Sequence, residues 1–162
     1  GYGRIGKMIE SYAESFGMKV FLNDIKIPQS NKLNQMKFVS LDEGLSRFEN
    51  IFLCASVEDN KTPILDKEKI DMIQENSILV NISRGELIDE DYLLKKSDSK
   101  NIRLCLDVLQ NDSDWDEIKE NNRVSELNNK NNIILTPHCA GYAFDAILAT
   151  RNFVLKKYLN EK

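Results

Sequence analysis

Two periodicities alternate along the chain. Apolar side chains at Ile5, Met8, Ile9, Tyr12 and Phe16 recur at spacings of three and four, which predicts a helix over residues 4–16 with one apolar stripe. Gly17 follows as its stop. Lys19-Val20-Phe21-Leu22-Asn23-Asp24 then predicts a buried strand ending in polar residues, and Pro28 with the Ser/Asn-rich stretch behind it predicts a loop. Short apolar runs at Phe38–Leu41, Ile51–Ala55, Ser77–Ser83, Ile102–Leu109 and Ile133–Thr136 predict further strands. The run Ile51–Ala55 is nearly continuous, as in strands covered on both faces. Helical patterns fall at 42–48, at 67–75 with Asp66 as cap and Ile70 and Ile73 inward, and at 89–96 with Tyr92 and Leu93 inward. Ala146, Ala149, Phe153, Val154 and Tyr158 predict a long final helix from Tyr142 to about Asn160. Residues 111–131, rich in Asn, Asp, Glu and Lys and anchored by Trp115, Ile118, Val124 and Leu127, predict an excursion with one or two helical turns. No internal repeat and no second domain is evident.

Strands alternating with helices at this spacing mean βαβ units on a mostly parallel sheet, with right-handed connections. The fold class is α/β, a Rossmann-type doubly wound sheet. Composition agrees: 162 residues, 41% apolar and 30% charged, describe a globular chain. The formal net charge of −4 argues against nucleic acid as the main partner, since phosphate binding needs a basic face. No run approaches the length of a membrane span. Three cysteines within or beside apolar runs fit a reduced, cytoplasmic setting, and their spacing is no metal pattern.

Gly1-x-Gly3-x-x-Gly6 opens directly into the first helix. In such a loop the first glycine allows a tight turn, the second lets a pyrophosphate approach the backbone, and the third lets the helix pack close to the sheet. Asp24 sits 18 residues after Gly6, at the end of the second predicted strand. A carboxylate there can accept hydrogen bonds from an adenosine ribose and repel a 2′-phosphate, which favours NAD over NADP. Lys26 nearby softens that preference. A turn residue before Pro28 is the other use for Asp24.

Three more candidates fall at strand ends, the edge where open α/β sheets bind ligands. Arg84, in Asn81-Ile82-Ser83-Arg84-Gly85, places a guanidinium that can hold a carboxylate bidentately, or else pair with Glu86 or Asp89. His138, the only histidine, follows Leu135-Thr136-Pro137 and is placed for acid/base work. Asp107 and Asp112 lie at the end of another strand, where an acid within reach of His138 would fix its tautomer. Cys139 beside His138 does not make a thiol nucleophile, because sequence neighbours rarely point at each other and no oxyanion hole accompanies them.

Together these motifs resemble the D-isomer-specific 2-hydroxyacid dehydrogenases over essentially the whole chain. GYGRIG resembles the cofactor loop, VNISRGELIDEDYL the signature around a catalytic arginine, LCLDV the strand ending beside the nicotinamide, and NIILTPHCAG the segment with the catalytic histidine. The resemblance implies that Arg84 binds the substrate carboxylate and carbonyl oxygen, and that His138 exchanges a proton with that oxygen. It implies that Asp107 holds the nicotinamide amide and that Arg4 and Ile5 offer backbone N–H groups to the pyrophosphate, beside Gly1, Gly3, Gly6 and Asp24. Where the family usually has Glu, Asp112 stands, with Asp114 competing. The segment Leu53–Val57 lacks the family's proline, and Ala143 replaces a small hydroxyl residue.

The implied reaction is hydride transfer between NAD and a small D-2-hydroxy or 2-keto acid. An NAD-sensing, corepressor-like binding protein on the same fold is the alternative. The start at Gly1 reads as a cut that removes the first strand and a preceding substrate domain, with residues 142–162 leading toward that domain. On this reading residues 1–162 are one partial NAD-binding domain, dimeric when complete. A gap is expected between the second and fourth strands, with the isolated chain unstable or aggregation-prone and the final helix's apolar face exposed.

Overall fold

The computed structural model describes residues 1–27, 37–56, 62–112 and 123–160. The loop from Pro28, and Val57, Asp114, Trp115 and Ile118, lie outside the described residues.

Helix α1 spans Arg4–Ser15 and ends at Phe16, with Gly17 at φ +77° turning the chain. Helix α2 (Leu41–Arg47) starts where the Ser40 hydroxyl accepts the Glu43 N–H. Strand β1 (Asn50–Leu53) leads to α3 (Lys67–Met72), which Asp66 caps through the Lys69 N–H. Strand β2 (Ile78–Asn81) ends in a 3₁₀ turn at Gly85–Leu87, and α4 (Glu90–Ser99) follows, capped by Asp89. Strand β3 (Arg103–Leu106), α5 (Arg123–Asn128), β4 (Ile133–Leu135) and α6 (Phe144–Asn160) complete the order.

All four strands are parallel, in the order β1-β2-β3-β4. Sequential parallel strands joined by helices are the half of a doubly wound sheet expected beyond its central strand. Because side chains alternate across a strand, the register sorts the sheet into two faces. Leu79 and Leu104 share one face with Ile51 and Ile133. With Ile70, Ile73, Leu93 and Ile102 they belong to the fully packed core.

The segment 19–24 makes only an isolated parallel bridge, Leu22 to Phe38, where two strands were expected. That pair stands apart from the four-stranded sheet. Gly1 sits between them: its amino group donates to the Asn23 carbonyl at 2.9 Å, and its Cα rests against the Cys54–Ala55 backbone. Without a longer partner ladder on either side, residues 19–24 and 38–41 form a bridge and not strands. The expectation that β1 is covered on both faces is likewise corrected. It is an edge strand among the described residues, and Phe52 is half exposed.

The apolar stripe of α1 is present, but the helix has no buried residue, and Phe16 is 85% exposed. On α6, Phe144, Phe153, Val154 and Tyr158 are all exposed, as expected for the final helix. No described helix is long and apolar enough to cross a membrane.

Candidate active site

The glycine loop divides by environment. A Cβ on Gly1 would fall 2.6 Å from the Ala55 backbone, and one on Gly6 2.5 Å from the Gly1 carbonyl oxygen. Both positions therefore need glycine for close packing. A Cβ on Gly3 would meet nothing within 4 Å. Gly3 borders open space at the start of α1, whose N-terminus carries no side-chain cap and no acidic residue in its first turn. The first α-helical bond is the Lys7 N–H to the Gly3 carbonyl. The Arg4, Ile5 and Gly6 N–H groups thus have no partner within the helix, an arrangement that receives an anion.

Asp24 stands at this loop. Its carboxylate accepts the Tyr2 N–H at 2.6 Å and the Lys26 N–H at 2.8 Å. Burial pushes its carboxyl up, but those two N–H bonds, with the Lys26 charge, hold the group below its ordinary value. Tyr2 anchors the loop from its other end, donating its hydroxyl to Glu10. An open glycine, free helical N–H groups and an ionised carboxylate beside them fit a dinucleotide.

Arg84 leaves β2 on a built turn. The buried Asn81 side chain donates to the Arg84 carbonyl at 2.9 Å and accepts the Ser83 N–H at 3.0 Å, while the Ser83 hydroxyl donates to the Leu53 carbonyl at 2.6 Å. The exposed Arg84 guanidinium bonds the Ser83 carbonyl at 2.6 Å, and no described carboxylate pairs with it. Glu86 and Asp89 are not its partners. Gly85 then closes the turn onto the next one: a Cβ there would lie 2.1–2.3 Å from the Leu109–Gln110 backbone. No side chain can replace that hydrogen without moving the main chain.

The second turn, after β3, carries Asp112. Its Oδ2 lies 2.9 Å from His138 Nδ1. A carboxylate only accepts, so the proton of this bond sits on Nδ1 and Nε2 is left for a substrate. His138 follows β4 with φ +50°, a left-handed conformation that is uncommon outside glycine. Asp107 enforces it. The Asp107 carboxylate, buried to 4% exposure, accepts the Thr136 hydroxyl and the Cys139 and Ala140 N–H groups, both at 3.0 Å. Those three donors bracket His138. The role the resemblance implies for Asp107, holding a nicotinamide amide, must share a carboxylate that already carries them.

The structure thus brings Arg84, Asp112 and His138 to the C-terminal ends of β2, β3 and β4, with Gly1, Gly3, Arg4, Ile5, Gly6 and Asp24 at the cofactor loop. Asn81, Thr136, Gln110 and Glu90 were not singled out from the sequence. Asn81 had a signal, since an Asn three residues before Arg84 is a turn former. The others act through contacts distant in sequence.

The sequence profile described as "D-isomer specific 2-hydroxyacid dehydrogenase, NAD binding domain" matches residues 1–140. An erythronate-4-phosphate dehydrogenase of Hydrogenovibrio crunogenus is 31% identical over 96% of this chain and 39% of its own length. A D-lactate dehydrogenase of Lactobacillus delbrueckii subsp. bulgaricus is 31% identical over 99% of this chain and 49% of its own. Among solved structures, a D-lactate dehydrogenase from Aquifex aeolicus, complexed with NAD and lactic acid, superposes with a TM-score of 0.83 at 27% identity. The match covers 99% of this chain and 52% of that one. The chain spans about half the length of these relatives or less. It belongs to the family of D-isomer specific 2-hydroxyacid dehydrogenase NAD binding domains.

Proposed function

We propose that the chain is the cofactor-binding half of an oxidoreductase that interconverts small 2-keto acids and D-2-hydroxy acids with NAD. The single observation that carries this reading is the Asp112–His138 pair at 2.9 Å, set beside the Arg84 turn at one edge of the sheet. The cofactor, when bound, supplies or takes the hydride at C2 of the substrate. Arg84, with no carboxylate partner among the described residues, is placed to hold the substrate carboxylate and polarise the carbonyl. His138 gives a proton from Nε2 to the carbonyl oxygen in reduction and takes one from the hydroxyl in oxidation. Asp112 keeps Nδ1 protonated and stabilises the imidazolium. The free N–H groups of Arg4, Ile5 and Gly6 receive the pyrophosphate, and Asp24 receives the ribose, which favours NAD over its 2′-phosphorylated form.

The relatives are about twice as long or more, so we place the substrate-binding domain outside residues 1–162, with α6 leading toward it. The test is NADH oxidation by the full-length protein against a panel of 2-keto acids. Arg84→Ala is expected to raise KM and lower kcat, and His138→Ala mainly to lower kcat. Normal turnover of every active substrate by both variants would refute the assignment.

A further inference from the structure

Glu90 is a carboxylate buried to 3% exposure at the start of α4. Burying a charge is costly unless it is bonded, so its place needs a cause. Capping is not that cause, because Asp89 already accepts the Tyr92 N–H there. Glu90 instead reaches across to the turn after β3. Its Oε2 accepts the Gln110 N–H at 2.7 Å, and its Oε1 accepts the Arg123 guanidinium. Arg123 also reaches Asp91 at 3.3 Å. The Gln110 side chain donates to the Ile88 carbonyl at 2.9 Å, so this one residue is tethered to the α4 entry by both main chain and side chain.

The turn so held is the one that carries Asp112. Leu109 N–H points at Asp112 Oδ2, the same atom that meets His138, at 3.3 Å. Asn111 adopts φ +58°, a geometry asparagine tolerates. Gly85 presses on the Leu109–Gln110 backbone from the Arg84 side. Moving Gln110 therefore moves Asp112. Burial pushes the Glu90 carboxyl above its ordinary value, and the Gln110 N–H and Arg123 offset this only in part.

We infer that Glu90 and Arg123 are positioning residues for the Asp112–His138 pair, clamping the Leu109–Asp112 turn. The inference rests on the catalytic reading of that pair, and its test separates the two. The readout is the imidazole of His138 by ¹⁵N NMR in the full-length protein, at a pH where the ring is neutral, with His138→Gln assigning its signals. The parent is expected to show the Nδ1–H tautomer.

Glu90→Leu is expected to shift the population toward Nε2–H and to lower kcat for 2-keto acid reduction about ten- to a hundredfold, with the KM for NADH changed less than about twofold. Glu90→Gln keeps an acceptor for the Gln110 N–H and is expected to restore the parent tautomer. Leu93→Ala, a core truncation on the same helix, is expected to lower Tm and leave the tautomer alone. If Glu90→Leu does not fold, Arg123→Gln decides, and the same shift is expected. An unchanged tautomer in a folded Glu90→Leu or Arg123→Gln protein overturns the proposal. A shifted tautomer in a protein whose parent reduces no 2-keto acid supports the clamp and removes the enzymatic reading.

Discussion

The two faces of the sheet behave differently. On one, the cross-strand row Ile51–Leu79–Leu104–Ile133 meets the packed core, with Leu79 and Leu104 wholly buried. On the other, the next row, Phe52–Val80–Cys105–Ile134, leaves Phe52 47% and Ile134 65% exposed. Helices α1 and α6 share that openness, since their apolar side chains find no buried place. The turns after β2 and β3, which carry Arg84 and Asp112, adjoin the sealed part, and His138 stands at its rim. Asn81, Asp107, Glu90 and Gly85 hold these turns through partly buried hydrogen bonds and direct backbone contact. Residue chemistry is thus held where packing is dense, while the cofactor loop stands at the border, tight at Gly1 and Gly6 and open at Gly3.

The largest effect expected is on chemistry at the sealed edge. His138→Ala should lower kcat by about 10²–10⁴-fold while leaving thermal stability nearly unchanged, read by steady-state kinetics beside a melting curve. Next come packing changes in the same part. Leu104→Ala should cost about 2–5 kcal/mol in denaturant unfolding, and Gly85→Ala, with its Cβ driven into the Leu109–Gln110 backbone, about 2–3 kcal/mol. A cost below 1 kcal/mol for either would mean that the sealed face relaxes freely.

At the border the glycines should separate two effects. Gly6→Ala should destabilise, whereas Gly3→Ala should leave the melting temperature unchanged and weaken NAD binding measured by calorimetry. Asp24 gives a pH signature. Its folded value lies below the ordinary 3.8, so the stability it contributes is complete above that value and is lost as pH falls through the depressed one. Asp24→Asn should lower stability across the neutral range, where that contribution is complete, and flatten the acid limb of the stability–pH curve in that window. The smallest effect belongs to the open face. Ile134→Ala in the 162-residue chain should change unfolding free energy by within about 0.5 kcal/mol. A loss like that of Leu104→Ala would erase the distinction between the faces.

Much of this was legible in the residues, and the remainder fails for identifiable reasons. Asp66 and Asp89 announce their helices because a cap is local chemistry, read from a few neighbours. The parallel sheet follows from the spacing of its runs. The apolar stripe of α1 is equally plain, but periodicity reports that a face exists and not what covers it. Residues 19–24 have the composition of a strand, yet a ladder needs a partner along its length, and Leu22 has only Phe38.

The site shows the same divide. Arg84, His138 and Asp112 stand in recognisable segments at strand ends. Glu90 looks from sequence like one more acid in the first turn of a helix. Only the fold brings it to Gln110, twenty residues away, and to Arg123.

The most direct test of the central claim is the product itself. The full-length protein, supplied with NADH and a 2-keto acid, should form the D-2-hydroxy acid, one molecule for each NADH consumed, by chiral chromatography. His138→Ala should form that product at least about a hundredfold more slowly. Formation of the L isomer, or undiminished formation of the D isomer by His138→Ala, would contradict the account.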